Sequence, residues 1–323
     1  MKGKKVVILI AAVSVVLTMS VMPALAEVKS IVLGSGPVGG GFNMVTVGLA
    51  KYWKKDLGIT TNIVPGAMPG NLKKFAKGKL TFTMGAAGWV RAMYEGNQLI
   101  FGEPARFARV MFHVYENPWY VIALKSSGLR KISDLKGKRY GGGPNKRIWG
   151  AIMGDKMEAN GVKYFDNPKV VIANFQDMAI MVGDGTLAAC PSMLEGFTPQ
   201  PATQRLMQEK EIVALEWDPA VIEKFKNSMF NATVVKKEVL PFLDKDLHTF
   251  SGGAGNMTCR ADVDEDLVYK LTKTMHKNLQ RLAAENPFWV YPAKIPEILT
   301  FDCGVPYHPG AIRYWKEAGM WKR

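Results

Sequence analysis

The chain has 323 residues, a formal net charge of +14 at pH 7 and three cysteines. Its length allows two domains of ordinary size. The cysteines lack C-x-x-C spacing, which argues against a zinc site, and they allow one disulfide without indicating which pair would form it. The basic charge would attract anionic solutes, a membrane surface or nucleic acid, but the sequence carries no nucleic-acid recognition motif.

The first 26 residues have the three parts of a secretory signal peptide. "MKGKK" is basic, residues 6–22 are uncharged and apolar, and Ala24 and Ala26 form a small-residue cleavage site. Cleavage after Ala26 would leave 297 of the 323 residues, with a net charge of +11. The apolar run is short for a transmembrane span, and no later stretch is apolar enough for one. We therefore expect a periplasmic protein, with an uncleaved anchor as the alternative.

A glycine-rich turn follows the first predicted strand. In "IVLGSGPVGGGFN", residues 31–43, Gly34, Gly36 and Gly39 spell G-x-G-x-x-G, the pattern of a dinucleotide-binding turn. That pattern requires an acidic residue at the end of the second strand, but the second predicted strand, residues 59–66, ends in Pro-Gly. The sequence therefore disfavours a nicotinamide cofactor, and no cofactor is expected.

The same turn is well suited to an anion. Glycines let backbone N–H groups approach a ligand closely, and the next predicted helix, residues 42–55, directs its positive end at the same point. We therefore predict that Gly39, Gly40 and Gly41 contact a ligand. The alternative is that these glycines serve only the tight turn.

Strands and helices alternate along the chain. Strands are predicted at residues 29–36, 59–66, 80–87, 119–126, 169–175 and 250–263. Helices are predicted at residues 42–55, 70–79, 88–96, 148–162, 176–190, 264–286 and 308–321. This order predicts two α/β units, each with a mostly parallel sheet covered by helices, and a return to the first unit at the end. In open α/β sheets, ligands bind at the carboxyl ends of strands, where the glycine turn and "GAAGW", residues 85–89, are expected to lie.

Five segments resemble the TAXI family, the TRAP-transporter-associated extracytoplasmic immunogenic solute-binding proteins, in order and spacing. They are "LGSGPVGGGFN", "PGAMPGNLKKFAKGKLTFTM", "ISDLKGKRYGGGP", "VGDGTLAA" and "VPYHPGAIRYWKEAG". The resemblance, which runs from residue 31 to residue 319, implies a periplasmic-binding-protein type II fold, in which a two-strand hinge joins two α/β lobes with the ligand cleft between them.

The resemblance also implies an organisation and a function. Hinge crossings near residues 119–125 and 250–259 would give a first lobe of residues 27–122 and 255–323 and a second lobe of residues 123–254. The protein would capture a small organic anion and deliver it to a TRAP membrane permease driven by an ion gradient. No catalysis and no metal are implied, and we expect a monomer.

The family's site residues transfer only in part. Gly39 and Gly40 match its glycine pair, and Asn71 matches its asparagine at the start of the second helix. Where the family has two tyrosines, a polar run and a hydroxyl-rich turn, this chain has other residues. The predicted ligand contacts are therefore Gly39, Gly40, Gly41, Phe42, Asn43, Asn71, Ala87, Trp89, Arg147 and Trp149.

Arg147 is the strongest of these candidates. A guanidinium binds a carboxylate through two parallel hydrogen bonds, and residues 125–150 carry eight basic residues against one acid, Asp134. Phe42, Trp89 and Trp149 would form an apolar wall. This predicts an organic anion with an apolar or aromatic body, although glutamate or another dicarboxylate is the alternative. A solvated surface or a permease-docking face would also explain the basic segment.

Other classes of protein receive less support. The chain has four histidines but neither a G-x-S-x-G nor an H-E-x-x-H motif. An exported nucleotide-binding enzyme is therefore a remote alternative. A binding protein that serves a sensory receptor is compatible with the same pattern.

Overall fold

The computed structural model describes residues 28–97 and 101–323, so the predicted signal peptide lies outside the described residues. The strands of the described part are β1 Ser30–Gly34, β2 Thr60–Val64, β3 Phe82–Ala86, β4 Ala108–Leu124, β5 Tyr140–Gly141, β6 Val170–Val171, β7 Cys190–Glu195, β8 Thr198–Pro199, β9 Ile212–Ala214, β10 Ala232–Val235 and β11 Leu247–Arg260. Its α-helices are α1 Gly41–Leu57, α2 Met68–Ala76, α3 Ala87–Glu95, α4 Lys146–Trp149, α5 Asp155–Ala159, α6 Phe175–Gly183, α7 Pro201–Glu209, α8 Pro219–Phe225, α9 Glu265–Lys277, α10 Leu279–Glu285, α11 Val290–Lys294 and α12 Pro309–Glu317. A π-helical turn, Gly150–Gly154, makes α4 and α5 continuous, and 3₁₀ turns cover Lys125–Ser127, Ile132–Leu135, Lys237–Val239, Pro287–Trp289 and Pro296–Thr300.

Helix α1 is set by its apolar spacing and its two ends. Val45, Leu49 and Trp53, spaced four residues apart, are buried on one face. The helix ends at Gly58, whose φ of 71° places it in the left-handed region that favours glycine. The helix begins at Gly41, within the glycine-rich turn, close to the start that the sequence predicts.

The main sheet contains nine of the described strands, in the order β2-β1-β3-β11-β4-β7-β8, with β10 added to β11 and β9 added to β4. β1 pairs in parallel with β2 and with β3. β11 runs antiparallel to β3 and to β4. Parallel pairing therefore dominates only on the β1–β3 side, and the rest of the sheet is antiparallel.

The long strands β4 and β11 connect two lobes. Residues 255–259 of β11 pair with β3 on the first-lobe side, whereas residues 247–250 pair with β10 on the second-lobe side. Between these two stretches, bulges shift the register of β11 against β4 from Ser251 to Asn256. The predicted two-strand connection is thus confirmed, while the lobe limits at residues 122 and 254 stay a prediction.

Some predicted elements differ from those observed. The strand predicted at residues 119–126 is only the last part of β4, which begins at Ala108. Pro118 lies within β4 opposite Ser251, next to the bulge, where its missing N–H is tolerated. The long helix predicted over 264–286 is two helices that meet at Asn278. The short strands β7 to β10 were not predicted.

Two hydrophobic cores lie on the sheet. The larger one includes the fully buried side chains of Trp53, Trp289 and Trp315, and the smaller one includes Tyr120, Met178 and Leu206. The three cysteines, Cys190, Cys259 and Cys303, are buried and unpaired with one another.

Candidate functional site

The glycine-rich turn leads directly into the amino end of α1. Gly39 has a φ of 79°, and the Gly40 N–H donates to the carbonyl of Pro37 at 2.9 Å. Gly40 is the N-cap residue of α1, and no side chain caps the helix there. The first N–H groups of α1 are therefore available to a group from elsewhere in the molecule.

Two of the predicted ligand contacts, Asn43 and Asn71, form hydrogen bonds that hold this turn in place. The Asn71 side chain donates to the carbonyls of Ser35 at 2.7 Å and Val64 at 3.0 Å. The Asn43 side chain donates to the Ser35 hydroxyl at 3.1 Å and accepts from the Gly39 N–H at 3.4 Å. These hydrogen bonds give both asparagines a structural role. Their contact with a ligand stays a prediction.

The group at the amino end of α1 is a carboxylate of the second-lobe strand β7. The backbone N–H of Gly41 donates to Oε2 of Glu195 at 3.3 Å. A Cβ added at Gly41 would lie 2.5 Å from the Tyr115 hydroxyl and 2.8 Å from Cδ of Glu195. Only glycine leaves this space, so the glycine turn permits the close contact between the lobes.

The surroundings of this contact hold a second acidic side chain. Burial raises the pKa of the Glu195 carboxyl to about 7. Burial also raises the pKa of the Glu116 carboxyl, although the Ser251 hydroxyl, which donates to it at 2.9 Å, lowers it in part. The buried Tyr115 hydroxyl has no hydrogen-bond partner among the described residues. The site therefore combines helix N–H donors with two buried carboxyl groups, of which Glu195, with a pKa of about 7, can exchange a proton near neutral pH.

An aromatic cluster joins the two lobes beside the hinge. The Trp89 ring of α3 lies 5.7 Å from Phe230, which lies 5.0 Å from Trp119 of β4. Trp119 in turn lies 5.9 Å from Trp149 at the end of α4. Trp89 and Trp149, both predicted as parts of an apolar wall, thus belong to one cluster, which we call the interlobe aromatic cluster: Trp89, Trp119, Trp149 and Phe230.

The other predicted contacts lie around this region. Phe42 stacks on Tyr115 with ring centroids 5.6 Å apart, away from the cluster. Ala87 is buried, and a Cβ added at Gly253 of β11 would lie 2.7 Å from its Cβ. Arg147 is exposed on α4, whose N-cap Asn145 accepts from the Ile148 N–H at 3.0 Å. Its role as a carboxylate ligand stays a prediction.

Three charged residues of this region are not among the predicted ligand contacts: Glu116, Glu195 and Lys156. Lys156, which lies in the helix predicted at residues 148–162, is 4% exposed. The sequence contains one indication that Lys156 is buried: it lies four residues after the apolar Ile152, and this spacing places both on one face of a helix. For the two glutamates, which follow apolar strand residues, the sequence gives no comparable signal.

The described part of the chain offers neither a cluster of metal-ligating side chains nor a membrane-spanning helix. In residues 28–97 and 101–323, no group of three or more His, Cys, Asp or Glu side chains is placed to hold a metal ion. No helix in this part of the chain is long and apolar enough to span a bilayer.

Comparison with known proteins identifies the family. The model of the NMT1-like family matches residues 33–319, nearly the whole described chain. The chain belongs to the NMT1-like family. This membership places it among the periplasmic solute-binding proteins and supports the resemblance in its general form. No curated protein sequence matches the chain.

Solved structures agree with the family in fold. PhnD1 from Prochlorococcus marinus, in complex with methylphosphonate, is similar with a TM-score of 0.52 and 10% sequence identity, over 91% of this chain and 99% of that chain. The periplasmic sulfonate-binding protein SsuA from Methylobacillus flagellatus is similar with a TM-score of 0.47 and 16% identity, over 91% of this chain and 88% of that chain. The likeness to PhnD1 confirms the predicted type II periplasmic-binding-protein fold with two lobes.

Proposed function

We propose that this protein is the solute-binding subunit of a TRAP-type transporter of the TAXI group. It captures a small organic anion in the periplasm and delivers it to an ion-gradient-driven membrane permease. The observation that carries this proposal is the Glu195 carboxylate at the amino end of α1, 3.3 Å from the Gly41 nitrogen. It supports the idea that this helix end, which faces the other lobe, accepts a carboxylate.

A solute carboxylate would take the place of Glu195. Helix N–H groups and the helix dipole favour any anion at this position. Because the bond of Gly41 to Glu195 is long for a charge-assisted hydrogen bond, a free carboxylate that approached more closely would compete well. Displacement would move Glu195 away from α1, so that solute binding and lobe contact would be coupled.

The interlobe aromatic cluster supports an apolar or aromatic body for the solute. Its members come from α3, from β4, from the segment before β10 and from α4, so a ring inserted among them would contact both lobes. Offset or edge-to-face contacts with such a ring would each contribute about 0.5–1.5 kcal/mol beyond area burial. Arg147, on the same helix as Trp149, is our candidate for a second carboxylate contact when the lobes rearrange.

Delivery to a permease is proposed from the TAXI resemblance. Lobes of residues 27–122 with 255–323, and of residues 123–254, would close on the solute about β4 and β11. The permease would then bind the closed form, for which contacts from both lobes are needed.

Thermal unfolding of residues 27–323 against a panel of small anions tests the proposal. The panel contains aromatic carboxylates, branched 2-oxo acids, aliphatic dicarboxylates and glutamate, with NAD as a control. A ligand that binds only the folded form stabilises it by about 2.7 kcal/mol at a hundredfold excess over its dissociation constant. We expect an aromatic or branched carboxylate to raise the midpoint most. A rise with glutamate alone would contradict the apolar body, and a rise with NAD alone would contradict the proposed function.

A phosphonate is the second candidate solute. PhnD1, which is similar in fold, was solved with methylphosphonate, and a helix N-terminus binds phosphonates as well as carboxylates. Methylphosphonate therefore belongs in the same panel. A rise in midpoint with methylphosphonate, and with none of the carboxylates, would favour this candidate.

A further inference from the structure

A basic segment in the middle of the chain holds most of the protein's excess charge. Residues 125–169 carry eleven basic and four acidic side chains, so they account for +7 of the net +11 of residues 27–323. Residues 170–254, by contrast, have a net charge of −4. Ten of the eleven basic side chains are exposed, and Lys156 is the buried one. The positive charge is therefore concentrated on the surface of one stretch of chain, of which the proposed solute site uses only Arg147.

The acidic side chains of this segment do not neutralise its cations. Asp134 accepts from two backbone N–H groups, both at 2.9 Å, and Glu158 accepts from two more at 2.8 and 3.1 Å. Asp155 and Asp166 are exposed. In the described part of the chain, Lys125 is the only one of the ten exposed cations with a carboxylate within salt-bridge distance. The other nine are therefore available to an anionic partner.

Four of these lysines come together in the fold. Nζ of Lys169 donates to the carbonyl of Gly137 at 2.6 Å. A Cβ added at Gly161 would lie 2.8 Å from Cε of Lys136. The turn at residues 136–138 therefore lies beside the loop at residues 161–169. Each of the two segments contributes two exposed lysines, and we call the four the lysine face: Lys136, Lys138, Lys163 and Lys169.

The lysine face lies away from the predicted solute contacts of the same lobe. Strands β5 and β6 are parallel, with Tyr140 paired to Val170, and Lys138 and Lys169 precede their amino ends. The carboxyl end of β5 leads instead towards α4, which carries Arg147 and Trp149. Because ligands bind at the carboxyl ends of strands in such sheets, a partner on the lysine face would leave these predicted contacts accessible.

An exposed aromatic ring accompanies the lysines. Phe165, two residues after Lys163, is 40% exposed. A Cβ added at Gly154 would lie 2.6 Å from its ring, so Phe165 packs against the same helical segment at whose end Lys136 reaches Gly161. Lysines beside an exposed aromatic side chain are typical of segments that lie at a membrane interface.

The chemistry of this face favours lipid phosphates over an acidic protein surface. Its four cations are all lysines, which are point charges on flexible stems without the fixed geometry of a guanidinium. Protein–protein interfaces are enriched in arginine and depleted in lysine. Anionic headgroups in a fluid bilayer need no matched geometry, and each lysine close to them adds to the attraction.

We propose that the lysine face holds the protein on the surface of an anionic phospholipid bilayer. The four lysines contact the phosphate groups, and the Phe165 ring enters the boundary between headgroups and acyl chains. Reversible binding of this kind would confine the protein's search for a membrane permease to two dimensions. The inference holds whichever solute the cleft binds.

Cosedimentation of residues 27–323 with lipid vesicles tests the proposal. One set of vesicles is pure phosphatidylcholine, and the other contains about one third phosphatidylglycerol. We expect binding to the anionic vesicles at about 0.1 M salt, release at about 0.5 M salt, and little binding to the neutral vesicles.

A fourfold variant of the lysine face, with Lys136, Lys138, Lys163 and Lys169 all changed to Gln, locates the contact. It should bind the anionic vesicles at least about twentyfold more weakly, because each lysine near an anionic surface contributes a factor of about five. The matched control changes the net charge equally, through four exposed lysines that precede β3 and have no ion pair in the described part of the chain: Lys29, Lys73, Lys77 and Lys79, each to Gln. The control should bind nearly as well as wild type.

Three results would overturn the proposal: equal binding to neutral and anionic vesicles, no loss of binding in the lysine-face variant, or an equal loss in the control variant. The last would mean that net charge alone attracts the protein. Failure of wild type to bind anionic vesicles would favour an acidic protein surface as the partner instead. None of these results concerns the amino end of α1, so the proposed function is tested separately.

Both fourfold variants should fold, because every changed side chain is exposed, and unchanged thermal midpoints check this. Phe165→Trp provides a second measurement on an otherwise intact surface. On anionic vesicles its fluorescence should shift to shorter wavelength, beyond any shift of wild type, whose eight tryptophans give the baseline. A shift no larger than that of wild type would place the bilayer against another surface and overturn the proposal.

Discussion

The Gly41 nitrogen and the Glu195 carboxylate, 154 positions apart in the chain, are joined by a hydrogen bond of 3.3 Å. One group belongs to the first turn of α1 and the other to the end of β7. The contact replaces a side-chain cap on the helix, which the sequence does not provide. It makes the amino end of α1 sensitive both to protonation of Glu195 and to any competing anion.

Protonation of Glu195 should make stability depend on pH. Because burial raises the pKa of this carboxyl from 4.5 to about 7, the folded protein binds a proton that the unfolded chain releases between these values. The contribution of Glu195 to stability therefore falls as pH rises through this window. Glu195→Gln should remove this slope, which amounts to about 1.4 kcal/mol per pH unit at most.

Chemical denaturation at several pH values from 4.5 to 8 measures this effect. Gln keeps an oxygen that accepts from Gly41, so the variant should remain folded and gain stability over wild type as the pH rises. Glu209→Gln, which changes an exposed residue of the same lobe, is the control. Identical pH dependence in wild type and Glu195→Gln would contradict the buried state of this carboxyl.

Gly41→Ala should weaken solute binding. The added Cβ would lie 2.5 Å from the Tyr115 hydroxyl and 2.8 Å from Cδ of Glu195, so the groups on both sides of the interlobe contact must move. We expect the affinity for the solute found by the panel to fall about tenfold, or about 1.4 kcal/mol. Gly70→Ala, on α2 with open space around it, is the control and should leave the affinity unchanged. Equal affinities in wild type, Gly41→Ala and Gly70→Ala would contradict a role of Gly41 in solute binding.

Asn71→Ala should destabilise the fold rather than act on the solute directly. The change leaves the carbonyls of Ser35 and Val64 without the Asn71 donor, at a cost of about 2–3 kcal/mol. Denaturant unfolding measures this cost, and titration calorimetry measures the affinity of the folded variant. A large loss of affinity with little loss of stability would instead favour the predicted contact between Asn71 and the ligand.

His113 should make the protein sensitive to acid. Burial lowers the pKa of its imidazole from 6.5 to about 3, while Nδ1 lies 2.9 Å from the Tyr307 hydroxyl. Between these pH values the unfolded chain binds a proton that the folded protein does not, so stability falls as pH drops below 6.5. His113→Gln should show less acid destabilisation than wild type in unfolding experiments from pH 7 to pH 4.5, and equal acid destabilisation would contradict the prediction.

The sequence predicts those parts of the site that depend on local geometry. The glycine pattern after β1 places the turn and the start of α1 correctly, because tight turns and helix ends are set by neighbouring residues. It cannot place Glu195, since the contact with Gly41 depends on how β7 is added to β4 in the folded sheet. Local patterns similarly predict β3 and α3 but not the full length of β4, whose Pro118 resembles a boundary.

The charge pattern of the sequence does not reveal which basic residues are buried. The basic run at residues 125–150 led to Arg147, which is exposed, whereas Lys156, just beyond it, is buried. A lysine is normally solvated, and the contacts of Lys156 with Phe225 and Phe250 show that this one is an exception. The helical spacing that it shares with Ile152 was the available clue.

Titration calorimetry of the best carboxylate from the panel, beside its methyl ester, tests the central claim most directly. The two molecules share the same body and differ in the anionic group that the amino end of α1 would bind. We predict one site with a dissociation constant of about 1 µM for the acid, near −8 kcal/mol, and at least about a hundredfold weaker binding of the ester, or about 2.7 kcal/mol. Equal affinity for the acid and the ester would contradict the account, because it would mean that the cleft does not recognise the charge.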